Sequence, residues 1–286
     1  MKIIKPSVEF FGAVPTDYES ALKFIEKCGR TCYKSEDKIT ENSAEGFVRK
    51  LIKAGHLAMV EHSNFVIKAM FTPGDLRPFL EMGRYLNIVS HRHETYVGGN
   101  WTAWFQAVKC DKSLFKPFID TVGVLFDMPA SLMYGYADYW KVCPDDEIPK
   151  ELHRYSAKFI CDRGVSHELV RHRPCSFAQE STRYVNYGGK DMEFIEPWWW
   201  DGSEDEEERD WMETLFRYDE DLYRSLISYG RTPQQARAVL PNALKTEIVV
   251  TADAAEWAHI RKLRTAKAAH PDIQRVMNMM PWETFL

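Results

Sequence analysis

No stretch of this 286-residue sequence reaches the run of about 18 apolar residues that a membrane helix needs, so no helical span is expected. The first thirty residues carry Lys2, Lys5, Glu9, Asp17 and Glu19, with no apolar block and no cleavage pattern, so no signal peptide is expected either. Positive charge is not in excess. Lys and Arg number 37 against 42 Asp and Glu, a net charge of −5 that argues against broad nucleic-acid binding. A small anionic ligand still needs only a local basic pocket. The six cysteines are scattered without a C-x-x-C pair, which reads as reduced thiols in a cytoplasmic protein. There is no G-x-G-x-x-G, so a Rossmann domain is not indicated, and there is no H-E-x-x-H or cysteine quartet to hold zinc. Internal repeats and low-complexity linkers are absent too.

What is present is an ordinary globular composition, 45% hydrophobic and 28% charged, long enough for one large domain or two small ones. Residues 16–29 read as a helix, with Ala21, Leu22, Phe24 and Ile25 apolar. Ser43 reads as the N-cap of a second helix that carries Phe47, Val48, Leu51 and Ile52 and stops at Gly55. "NFVIKAMFT" alternates, with Phe65, Ile67, Ala69 and Phe71 on one face of a strand. Residues 73–153 are rich in aromatics and predicted to be largely helical, with "YVGGNW" marking a loop. "SAKFICDRG" is a strand leading into a short helix near Ser166. The acidic run "EDEEERD" fits the N-terminus of a helix, where the dipole favours carboxylates. That helix places Trp211, Leu215, Tyr218, Leu222 and Leu226 on one face, expected to meet the core or another subunit. Thr232-Pro233-Gln234-Gln235 and Asp253 with Glu256 are two further capping signatures, around a strand "KTEIVVTA". The mixture predicts an α+β fold, a mixed sheet with flanking helices.

The segment of residues 165–189 carries the chemistry. Arg171, Arg173 and Arg183 lie within thirteen residues, with Ser176 and Ser181 between them. Guanidiniums gathered this closely call for an anion among them, and Arg forks with Ser hydroxyls suit a phosphate. On a continuous helix Arg171 and Arg173 would point to opposite sides, toward two ligands or a ligand and a neighbouring subunit. Glu168, one turn earlier, can orient Arg171 or read a polar group. The bland alternative is a surface helix studded with Arg.

The string Arg171-His172-Arg173, seven residues, then Ser181-Thr182-Arg183 resembles the signature of the flavin-dependent thymidylate synthases (ThyX). Gly55-His56 and Glu61-His62 with the strand after them resemble a second family element; Arg237, Leu240 and Pro241 a third; and the segment ending at Arg264 a fourth. The resemblance covers residues 16–72 and 155–268. It implies one catalytic domain over 1–286 with the family's own fold, interrupted by an insertion at about 73–153. It implies reductive methylation of dUMP to dTMP, with 5,10-methylenetetrahydrofolate as carbon donor and FAD reduced by NADPH as hydride source. It also implies a homotetramer with shared active sites.

Residue by residue, the likeness assigns dUMP to Glu168, Arg171, Gln179, Glu180, Ser181, Arg183, Arg237 and Arg264. Arg264 is the catalytic residue, its guanidinium favouring ionisation at the uracil edge. FAD falls to His56, Glu61, Arg171, His172, Arg173, Gln179, Asp253 and His259. Asp253 stands where the family commonly has Asn, Ala255 where Arg is common and Ala58 where a hydroxyl is common; Cys32 lies near a position where Ser usually contacts the cofactor. Cys175 sits inside the signature but is expected to be a buried, inert thiol, since a nucleophile needs a lowered pKa and access. Ser181 has no nucleophile elbow around it. No metal site is expected at His91, His93 and Glu94 or at His56 and His62. Trp198-Trp199-Trp200 fits packing or a subunit contact. Two other readings stay open: a FAD enzyme of this fold acting on another pyrimidine nucleotide, and a nucleotide- or RNA-binding module without catalysis.

Overall fold

The computed structural model describes residues 1–70, 86–110, 116–128, 140–200, 202 and 205–286, excepting the side chains of residues 110 and 116. Strands β1 (Lys2–Ile4) and β2 (Ser7–Ala13) lead into helix α1 (Tyr18–Tyr33), whose N-cap Asp17 accepts the Ser20 N–H at 2.9 Å. Helix α2 (Ala44–Lys53) follows and ends at Gly55, which takes φ +75°, a conformation that side chains resist. Ser43 does occupy the residue before α2, but it makes no cap bond. Its own backbone is already helical, and its hydroxyl donates to the buried Glu26 carboxylate at 2.7 Å and accepts the Thr40 N–H.

Strand β3 (Phe65–Met70) keeps Phe65, Ile67 and Ala69 buried as the alternation predicts; Phe71 lies outside the described residues. In the 73–153 segment the helical expectation is met by α3 (Trp101–Cys110) and α4 (Lys116–Thr121). The same segment also contributes strands β4 (Leu86–His91), β5 (Glu94–Gly99) and β6 (Lys141–Val142). These join β3 in a four-stranded sheet of order β4-β5-β3-β6. The "YVGG" of the expected loop is therefore strand: Gly98 pairs with Val66 and Asn87, and Gly99 with Phe65 and Leu86. The glycine serves packing here, because a Cβ on Gly98 would lie 3.2 Å from Val66 and 3.3 Å from Leu152. One core sits between this sheet and α1–α4, built on Ile25, Val48, Phe65, Trp101, Trp104 and Phe118.

Strand β7 (Arg154–Asp162) runs into helix α5 (Arg163–Leu169), capped by Asp162 through the Val165 N–H at 2.8 Å. The helix stops at Leu169, so Arg171 and Arg173 project from a turn rather than from two faces of one helix. Strands β8 (Ser176–Gln179) and β9 (Glu193–Ile195) precede the long helix α6 (Glu206–Ser228), which Asp205 caps. Its core face is Phe216 and Tyr223. Of the predicted stripe, Trp211, Leu215 and Tyr218 are exposed, whereas Leu226 packs against the core. Short helix α7 (Pro233–Ala236) opens with the expected capping box. Strand β10 (Lys245–Asp253) leads into α8 (Ala254–Arg264), and α9 (Pro271–Met277) closes the chain.

The second sheet is antiparallel in the order β2-β7-β10-β8, and β1 pairs β9 in parallel. Strand β10 has lost the alternation of a surface strand: eight of its nine residues are buried, because structure covers both its faces. A second core packs Phe159, Ile248, Val250, Trp257, Ile273 and Trp282 beneath α8 and α9. Of the three fully buried indoles, Trp104 donates to the Phe65 carbonyl at 2.9 Å and Trp257 to the Tyr155 carbonyl at 3.0 Å, while the Trp101 N–H has no partner among the described residues.

Candidate functional site

The end of α5, the turn after it and helix α8 together carry a connected polar chain. Arg264, in the last turn of α8, donates from Nη1 to Glu168 Oε2 at 2.5 Å, from Nη2 to the Glu168 carbonyl at 3.1 Å and from Nε to His172 Nε2 at 3.0 Å. The far ring nitrogen of His172, Nδ1, lies 3.1 Å from Glu256 Oε1. Arg264 cannot accept, so His172 Nε2 is the acceptor and Nδ1 carries the proton that Glu256 takes. Burial, with the guanidinium of Arg264 and the ring of His259 beside it, pushes the His172 pKa down to about 4 and keeps the imidazole neutral. Burial raises the Glu256 carboxyl as well. Arg264 is thereby fixed by three of its five N–H groups, and two remain for a ligand.

His172, Glu256 and His259 are the one trio among the described residues whose donor atoms come close enough for a metal. Arg264, bonded to the same ring, sets a positive charge against any cation there. His91 is exposed beside Glu151, His62 is bonded to Thr251, and His56 to the Tyr33 hydroxyl at 3.0 Å.

The rest of the predicted residues fall into two places. Beside the chain just described, Arg171 and Arg173 are exposed and carry no ion pair among the described residues. A cleft of about 380 Å³ is lined by Arg173, Ser176, Glu61, Thr102 and Gln106. Free guanidiniums at such a cleft fit the diphosphate of a dinucleotide. Asp253 does not add to that fit, because its own carboxylate caps α8 through the Glu256 N–H at 2.8 Å and occupies the helix start with negative charge. Burial raises the Glu61 carboxyl.

The second place is the loop after β8. Arg183 donates to Gln234 on α7 at 2.7 Å and lies over the Tyr184 ring, which meets Tyr33 and, through it, His56. Arg237 follows directly on α7 and is exposed. Glu180 is buried, its carboxylate held by the Tyr187 hydroxyl at 2.8 Å and by Lys245 at 3.3 Å, so its side chain is an anchor for the loop. The Ser181 N–H goes to the Cys32 carbonyl, while its hydroxyl accepts the Arg183 N–H. Lys245 in turn meets Glu247 at 2.7 Å, which pulls the Glu247 pKa down to about 2. Gln179 is tied to Ser166 of α5 and to Thr246. No hydrogen bond or ion pair joins Ser181, Arg183 or Arg237 to Glu168, Arg171 or Arg264 among the described residues.

Cys175 is buried near Glu256, and both effects push its thiol pKa up, away from nucleophilic use. The sequence reading missed the anchor Lys245–Glu247 and the partner role of Glu256. The spacing that marked Glu256 as half of a capping box was the only signal, and in the fold its carboxylate turns to His172 instead.

Residues 146–284 match the family Thy1, described as "Thymidylate synthase complementing protein". A curated flavin-dependent thymidylate synthase from Geobacter sulfurreducens is 38% identical over 112 residues, 39% of this chain and 47% of that protein. One from Thermococcus onnurineus is 35% identical over 118 residues, 41% of this chain and 47% of that protein. The chain therefore spans about half the length of the curated relatives it matches. Among solved structures, a UMP/dUMP methylase PolB from Streptomyces cacaoi bound with 5-Br dUMP aligns over 100% of this chain and 93% of its own, at 15% identity and a TM-score of 0.45. Arg171-His172-Arg173 and Ser181-Thr182-Arg183 both lie inside residues 146–284, the part of the chain that is similar to the Thy1 family.

Proposed function

We propose that this protein methylates dUMP to dTMP, with 5,10-methylenetetrahydrofolate as carbon donor and FAD reduced by NADPH. The observation that carries the reading is the fixed chain Glu168–Arg264–His172–Glu256 beside the unpaired Arg171 and Arg173. Arg264 presents a guanidinium of set orientation to a uracil edge, where it would stabilise negative charge developing on the ring. His172 holds that orientation as a neutral acceptor, so no second cation competes at the same point. Arg171, Arg183 and Arg237 would bind the nucleotide phosphate, with Ser181 and Gln179 adding polar contacts. Arg173, with His56, Glu61, His172 and His259, would hold FAD, whose chemistry when bound is hydride delivery. The two groups of dUMP residues are unjoined within one chain, which supports a homotetramer whose subunits bring them together. The free thiols Cys28, Cys32, Cys143, Cys161 and Cys175 fit a cytoplasmic setting.

The test is an anaerobic assay of dTMP formation from dUMP, methylenetetrahydrofolate, NADPH and FAD, with wild type beside Arg264→Ala. Product from the wild type, and a loss of roughly 10²–10³ in kcat for the variant, is the expected result. Bound FAD without product would move the substrate to another pyrimidine nucleotide. No flavin binding at all would leave a nucleotide-binding module.

A further inference from the structure

The C-terminal end of α1 lies between His56 and the loop after β8, and the Tyr33 side chain touches both. Its hydroxyl is 3.0 Å from His56 Nδ1, and its ring meets that of Tyr184 with centroids 5.6 Å apart. One residue earlier, the Cys32 carbonyl accepts the Ser181 N–H at 3.0 Å, so the loop is tied to the same turn of helix. One residue later, Lys34 takes φ +48° and closes α1, its ammonium held by Glu247 at 2.6 Å. The half-buried Tyr33 ring is therefore placed by a backbone pinned on both sides. Both Tyr33 and His56 precede residue 146, outside the segment similar to Thy1.

His56 is held differently. Its N–H goes to the Leu51 carbonyl at 2.9 Å, so its backbone is set where α2 gives way at Gly55, but its ring is exposed. The Tyr33 hydroxyl is the one hydrogen-bond partner of that ring among the described residues. An exposed imidazole samples several rotamers unless a partner holds it, and the partner also decides which nitrogen carries the proton. Burial, with the Cys32 and Tyr184 side chains beside it, holds the Tyr33 phenol above its ordinary pKa, so the oxygen keeps its proton. A phenol donates better than it accepts, because its ring draws on the oxygen lone pairs. Donation to Nδ1 leaves the neutral imidazole with its own proton at Nε2, the nitrogen turned away from Tyr33.

We propose that Tyr33 is a positioning residue for His56. It fixes the ring and its Nε2–H tautomer, so that His56 presents a hydrogen-bond donor to an acceptor atom of the bound cofactor. Arg183 lies over the far side of the Tyr33–Tyr184 contact, so one aromatic bracket joins the histidine to the loop of Ser181 and Arg183. The tautomer depends on this chain alone. The ligand that receives the bond rests on the FAD reading, and the two are measured separately.

Long-range proton–nitrogen NMR spectra of the full chain at about pH 8, above the ordinary histidine range, read the tautomer directly. The His56 signals are those lost in His56→Ala. Wild type is expected to carry the proton at Nε2, and Tyr33→Phe to show a mixture of both tautomers. A proton at Nδ1 in the wild type, or an unchanged tautomer in Tyr33→Phe, overturns the proposal. If Tyr33→Phe does not fold, the wild-type spectrum still decides. FAD titration reads the consequence: Tyr33→Phe should bind about three- to tenfold more weakly, the loss of one oriented hydrogen bond. The same substitution should cost nothing further in a His56→Ala background. Equal affinity of wild type and Tyr33→Phe, or an undiminished loss in the His56→Ala background, also overturns the proposal, because Tyr33 would then not act through His56. No flavin binding by a wild type that shows the expected tautomer would instead overturn FAD as the ligand and leave the hold of Tyr33 on His56 standing.

Discussion

At the scale of single residues, the candidate site depends on the protonation of one imidazole. His172 holds a single proton at Nδ1 because Arg264 claims Nε2 and Glu256 claims the proton. Its folded pKa of about 4 lies below the ordinary value of 6.5, and that of buried His62 falls further, to about 3. The unfolded chain therefore binds protons that the folded chain refuses between those values. Stability rises with pH across that window and is lost on acidification from about pH 6.5 downward. Urea midpoints of the wild type should fall between pH 7 and pH 4, and the fall should be smaller in His172→Gln. An equal fall in both proteins would remove His172 from the account. Arg171, Arg173, Arg183, Ser176 and Ser181 stood out in the sequence as candidates for an anion because their types and spacing suit that chemistry. The anchor of Lys245 and Glu247 did not, since a Lys and a Glu two apart on a strand look like any surface residues until the fold closes over them.

At the scale of elements, local signals worked where the chain decides for itself. Caps and periodicity marked α1, α7, α8 and the start of α6, because a cap bond joins residues two to four apart in sequence. They failed where a partner strand decides. The glycines of β5 looked like a turn, yet Gly98 is selected by Val66 on the neighbouring strand and by Leu152 in the turn before β7, and no local pattern reports either. A methyl at this position should therefore destabilise. Gly98→Ala is expected to cost about 1–3 kcal/mol in urea unfolding, the usual price of overpacking. A wild-type midpoint would mean that Leu152 and its short turn yield freely.

At the scale of the whole molecule, the chain leaves Trp211, Leu215 and Tyr218 exposed on α6 while Phe216 and Tyr223 on the same helix are fully buried. Solitary exposed apolar residues are common, but three along one helical stripe mark a surface that associates. If the homotetramer forms through it, Trp211→Ser with Tyr218→Ser should lower the solution mass measured by light scattering. An unchanged mass would send the contact elsewhere. Strand β10 carries a different lesson. Lys245, which anchors the loop of Ser181, stands at one end, and Asp253, which caps α8, stands at the other. All nine residues between and including them pair with β7 in unbroken register, and a slip of one residue would turn every side chain to the opposite face. The interval between the two ends, roughly 27 Å along an extended strand, is therefore a fixed dimension set by a count of peptide units. A point substitution can retune either end, but only adding or removing a pair of residues can change the distance between them.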